Sequence, residues 1–147
     1  YTQEYLDAMP ADKYGFRPVD GVRTFTEQMM HLAQSNVLLV STGTGYTHIS
    51  LGRLRPANFG KSPADLSRDS IVYYVAASYD FAINAVKQMD FDRSGETASG
   101  EMPNGKRTTT RLGWLLKAFE HQTHHRGQCT VYLRAAGIVP PGEKLWD

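Results

Sequence analysis

The C-terminal quarter of this chain constrains its fold more than any other part. Thr110 can cap a helix, Leu115, Ala118, Phe119, Cys129, Leu133 and Ala136 fall on one arc at about 100° per residue, and Gly137 can end it. Pro140-Pro141 forbids resumption. A helix from Arg111 to about Ala136 follows, and its apolar arc has to be buried against other elements. Three further segments supply them. Tyr1 to about Met9 reads as the tail of a longer helix stopped by Pro10. Thr24-Phe25-Thr26-Glu27 is a capping box, after which Phe25, Met29, Leu32, Asn36 and Leu39 recur at helical spacing to about Thr42, where Gly43 and Gly45 end the run. Ser62-Pro63-Ala64-Asp65 starts a third helix, and Ile71, Val75, Ser78, Ala82 and Val86 carry it to about Gln88. The expected fold is all-α, a four-helix bundle with long connections. Ser94-Gly95, Ser99-Gly100 and Asn104-Gly105 mark turns that allow one small hairpin between the third and fourth helices.

At 147 residues and 41% hydrophobic, the chain suits one domain over residues 1–147, its first helix incomplete at the start. A formal charge of +1, spread without like-charge runs, argues against nucleic-acid or anionic membrane partners. No stretch approaches the roughly 20 apolar residues of a membrane span. Neither a signal peptide nor an initiator Met is visible, so the cytoplasm is the default expectation and a removed leader stays compatible. The single cysteine, Cys129, excludes an internal disulfide and four-cysteine zinc modules. It falls in the apolar arc and reads as a small buried hydrophobe.

Three of the five histidines lie in His121-Gln122-Thr123-His124-His125-Arg126-Gly127-Gln128. His121 and His125, one turn apart, share a flank of the fourth helix with Trp114 and Tyr132, while His124 points further toward solvent. An i, i+4 pair of imidazoles can grip a divalent ion, because both side chains lean over the same turn. Spacing alone is also met by solvated surface histidines. A third ligand could be His31, among the apolar residues of the second helix, or His48 in the following loop, and periodicity does not choose between them. Gln128, Gln28 and Asn36 are candidates to orient an imidazole through its second nitrogen. Arg126 falls inside the apolar arc, which calls for a carboxylate partner or a packed subunit. Trp114, Phe119 and Tyr132 could line a pocket or simply fill the core.

Met9-Pro10-Ala11-Asp12-Lys13-Tyr14-Gly15-Phe16-Arg17-Pro18, the Thr24 to Ala33 stretch, Glu120 to Gln128, Tyr132-Leu133-Arg134 and Gly137-Ile138-Val139-Pro140-Pro141 together closely resemble the DinB-like (damage-inducible protein) family of four-helix bundles. The resemblance spans nearly the whole chain. It implies a metal site of three histidines, which fall on His31, His121 and His125, with nickel or zinc as the divalent ion and homodimers common. Relatives include S-transferases and isomerases that use low-molecular-weight bacterial thiols. Three neutral imidazoles would leave an ion its full charge and an open coordination position. A metal-dependent transfer of a small thiol to a small-molecule substrate is therefore expected, or a hydrolysis. The alternative is a non-enzymatic metal- or ligand-binding module. No general base stands out: Glu27 is committed to the cap, and Glu120 points about 100° away from His121.

Overall fold

The computed structural model describes residues 1–47, 52–54 and 66–144. Its helices are α1 (Thr2–Ala8), α2 (Phe25–Thr44), α3 (Arg68–Lys87) and α4 (Arg111–Ala135), and two strands, β1 (Thr97–Met102) and β2 (Gly105–Thr110), lie between α3 and α4. The helix starts follow from local chemistry. At α2 the Thr24 hydroxyl accepts from the Glu27 amide at 3.2 Å and the Glu27 carboxylate accepts from the Thr24 amide at 2.7 Å, so two orphan donors satisfy each other's residues. Ser67 caps α3, accepting from the Ser70 amide at 3.2 Å. The expected start at Ser62 lies outside the described residues. Thr110 caps α4 through the Gly113 amide at 3.0 Å.

α2 is the central helix, packed against both α3 and α4, with α1 laid against the same two. Its Phe25, Met29, Met30, Ala33 and Val37 are fully buried together with Leu6, Ile71, Ala85, Cys129 and Leu133. Gly43, expected to end α2, instead lies inside it; the helix runs to Thr44 and ends on Gly45 at φ 75°, a left-handed position that suits glycine. Gly43 has another task. A Cβ there would sit 2.8 Å from both the Arg111 carbonyl oxygen and the Trp114 Cβ, so only glycine lets α2 and α4 approach this closely.

The all-α expectation is corrected by the strands. β1 and β2 pair antiparallel from Thr97↔Thr110 to Met102↔Gly105, forming a two-stranded sheet that belongs to the fold. Gly105, at φ 97°, takes the left-handed conformation after Pro103-Asn104 and turns the chain back. The hairpin persists because α4 holds it: the Trp114 indole N–H donates to the Ala98 carbonyl at 3.0 Å, and the Arg111 amide to the Glu96 carbonyl at 2.8 Å. A two-stranded ribbon needs such packing to be stable.

The buried stripe of α4 also differs from the expected arc. Trp114, Ala118, His125, Cys129, Tyr132 and Leu133 are buried, whereas Phe119 is 65% exposed. Phe119 lies 100° around the helix from Ala118, past the edge of the contact with α2. The stripe that meets α2 therefore runs through the histidines. Among the described residues, no helix is long and apolar enough to cross a membrane.

Candidate metal centre

His31 on α2 faces His121 and His125 on α4, with ring centroids 5.1 and 4.7 Å away, and the two α4 rings are 4.2 Å apart. One nitrogen from each of the three comes together within 4.8 Å, the scale of a single coordination sphere whose bonds are about 2.0–2.1 Å. The His121 and His125 Nε2 atoms stand 3.1 Å apart. The two lone-pair positions can share only one proton between them.

Burial does most to set the protonation state. It pulls the pKa of His31 and of His121 down to about 4 and that of His125 to about 3, because a buried imidazolium loses its hydration. Neighbouring ionisable groups add to the effect: Arg23, His121 and His124 at His31, His124 and then Arg23 at His121, and His121, His31 and His124 at His125. At neutral pH all three rings are neutral and can lend lone pairs. The His121 Nδ1 is buried with no hydrogen-bond partner among the described residues.

His125 is held most firmly. It is 4% exposed, and the Gln28 amide nitrogen lies 2.7 Å from its Nδ1, with Gln28 also bonded to the Gln128 side-chain oxygen. Gln28 and Gln128 thus fill the orienting role considered for them, while Asn36 does not: its amide donates to the Ser78 hydroxyl at 3.3 Å, away from the imidazoles. For Nε2 of His125 to offer a lone pair, Nδ1 must carry the proton and Gln28 must present its oxygen, a half-turn of its amide. Gln128 would turn with it. Neutral imidazoles, one oriented by amides and one with an unanswered buried nitrogen, form a donor set suited to a borderline cation such as zinc or nickel.

The other candidates fall elsewhere. His124 is exposed, its ring 5.0 Å from that of His125, and His48 lies outside the described residues. Trp114 and Tyr132 are buried, the Tyr132 hydroxyl donating to the Arg23 carbonyl at 2.6 Å. Glu27 remains in its cap, and Glu120 is an exposed partner of Lys117 at 2.6 Å. Arg126 has no carboxylate partner among the described residues. It bonds to Thr2, Gln122 and Thr123 and lies 5.2 Å over the Tyr1 ring. Sequence reasoning passed over Arg23, whose charge acts on two of the imidazoles. It lies eight residues before His31, and its nearness to His121 depends on the packing of α4.

The sequence profile of the DinB family matches residues 1–146. The chain belongs to the DinB family. This DinB-family chain is similar in structure to a DinB-like protein from Bacillus cereus, with a TM-score of 0.75 at 22% identity over 97% of this chain and 88% of that one. It is also similar to a mycothiol-dependent maleylpyruvate isomerase, with a TM-score of 0.59 at 15% identity over 89% of this chain and 55% of that one. Likeness at such identities shows a shared fold. In sequence it is 45% identical over 42 residues to the uncharacterized protein YrdA of Bacillus subtilis, a match that spans 29% of this chain and 21% of that relative.

Proposed function

We propose that His31, His121 and His125 hold one divalent ion, nickel or zinc, and that the centre serves the transfer of a low-molecular-weight thiol to a small-molecule substrate. The observation that carries this reading is the convergence of three neutral, desolvated imidazoles from the first half of α2 and the middle of α4. A cation in such a set keeps its full charge and an open position, at which it would act as a Lewis acid and lower the pKa of a thiol. The protein's own residues do the rest. Gln28 and Gln128 orient His125, and burial keeps protons off all three rings. Arg23 adds positive charge beside His31 and His121, which favours an anion, such as a thiolate, as the further occupant.

Hydrolysis is the weaker reading of the same centre. Among the described residues no Asp or Glu joins the three histidines, so a general base for water is not at hand. A thiol, with an ordinary pKa near 8.5, needs far less help to ionise. The structural similarity to a mycothiol-dependent isomerase is in keeping with thiol chemistry.

The test is to load the purified protein with zinc or nickel and follow thiol consumption with a panel of small thiols and electrophiles. Metal-dependent conjugation, lost in His125→Ala, is the expected result. If no thiol is conjugated and no ester, amide or lactone is hydrolysed, the protein is a binding module and the enzymatic reading fails.

A further inference from the structure

β2 passes into α4 at Thr110-Arg111 without a linker, so the hairpin must fold back beside the first turns of the helix. Its position is over-determined. Besides the bonds from Trp114 and Arg111, the Leu112 amide donates to the Ser94 carbonyl at 3.0 Å. Two glycines allow the close fit: a Cβ on Gly113 would lie 2.6 Å from the Thr109 hydroxyl, and one on Gly100 would lie 2.9 Å from the Thr42 methyl. The walls on either side of this junction are therefore built before any ligand arrives.

Between hairpin and helix lies a cleft of about 870 Å³, which His121 and His124 help to line. That volume is typical of a site for a small organic molecule. Leu39, Met102, Trp114 and Leu116 give it apolar walls, and its charged residues are Arg107, Lys117 and Glu120. Lys117 and Glu120 answer each other at 2.6 Å. Arg107 has no carboxylate within ion-pairing distance among the described residues and reaches only the Lys106 carbonyl, at 3.4 Å. The cleft thus combines apolar walls with one unbalanced guanidinium, and it borders the histidine cluster. A guanidinium fork matches a carboxylate, to which it can donate two parallel bonds.

We infer that this cleft is the subsite for the small-molecule substrate, and that the substrate class is an organic carboxylate with an apolar body, its carboxylate held by Arg107 and its body lying along Trp114 and Leu116 toward His121. The inference rests on the proposed function and names the substrate class of that centre. No bond is made or broken in this step; it is recognition only.

Binding can be tested without metal, so that the two readings stand or fall apart. Chelator-treated protein is titrated calorimetrically with 4-phenylbutyrate and with 4-phenylbutanamide, its neutral counterpart. The acid binds about tenfold more tightly than the amide, the scale of one charge-assisted hydrogen bond. Arg107→Ala, a change at an exposed strand residue, removes that preference, and Leu116→Glu weakens both ligands. Equal binding of acid and amide to the wild type, a preference that survives in Arg107→Ala, or no binding of either ligand at millimolar concentration overturns the subsite. Loss of thiol transfer with the acid preference intact overturns the metal chemistry alone.

Discussion

Two polar pairs sit side by side on α4 with the same spacing and opposite fates. His121 and His125 are four residues apart, and so are Gln122 and Arg126, the second pair rotated by one residue. Gln122 and Arg126 join a closed set. The Arg126 guanidinium donates to Gln122 at 3.1 Å and to the Thr2 hydroxyl at 3.3 Å, Tyr79 donates to Gln122 at 2.6 Å, and Tyr79 and Thr2 share a bond at 2.6 Å. Donors meet acceptors there, and Arg126 Nε is the set's one buried side-chain polar atom without a partner among the described residues. The histidine pair instead meets a third imidazole. One proton shared between His121 and His125 can satisfy two of these nitrogens but not the third; a cation can satisfy all three. The difference is chemical complementarity, since helix geometry is the same in both.

The comparison breaks first at the ligands. His125→Ala should lower metal affinity by at least about a hundredfold, beyond the range seen when only an orienting partner is lost, as read by metal content after gel filtration. A variant that keeps one ion per chain would show that His125 is not a ligand. Gln28→Ala should cost about 10–100-fold in the same assay, because His125 loses the amide that fixes its ring. Arg126→Met supplies the contrast: metal content should stay unchanged, while urea unfolding should show a loss of about 1–2 kcal/mol for the hydrogen bonds removed. A drop in metal content in that variant would mean the two pairs are coupled.

The smallest effect concerns Cys129, which continues the stripe one turn past His125 and is fully buried. Burial pushes its pKa up to about 12. A thiol whose folded pKa exceeds its unfolded value stabilises the fold fully below the unfolded pKa of about 8.5–9, and that contribution is lost as pH rises from there toward about 12. Folded protein at pH 8 should react slowly with a thiol-specific disulfide reagent and quickly once unfolded. Cys129→Ser should leave metal content as it was. Rapid modification of the folded, metal-free protein would place the thiol at the centre's open side.

Much of this was legible in the chain. The capping box at Thr24, the glycine that closes α2, the cap at Thr110 and the Pro140-Pro141 stop are local devices, and each acts through neighbours a few residues away. The histidine spacing on α4 was equally local. His31 was another matter: periodicity on a helix apolar around most of its circumference gave no orientation, and family resemblance was needed to prefer it to His48. The hairpin was underestimated because its turn pairs are weak alone and its stability comes from Trp114 and Arg111. Phe119 was assigned to the buried arc because the wheel assumes a symmetric partner, whereas α2 meets α4 along a stripe displaced toward the histidines.

Local sequence alone set where helices begin and end, that His121 and His125 share a side, and that no internal disulfide can form. Those outcomes depend on interactions within about one turn, which any chain segment carries with it. Packing settled what the imidazoles face, which amides orient them, that Arg23 comes near His121, and that a hairpin walls a cleft beside them. Each of these depends on residues as far apart as Gln28 and His125, brought to 2.7 Å, and such distances exist only once the apolar faces of α2 and α4 have been buried together.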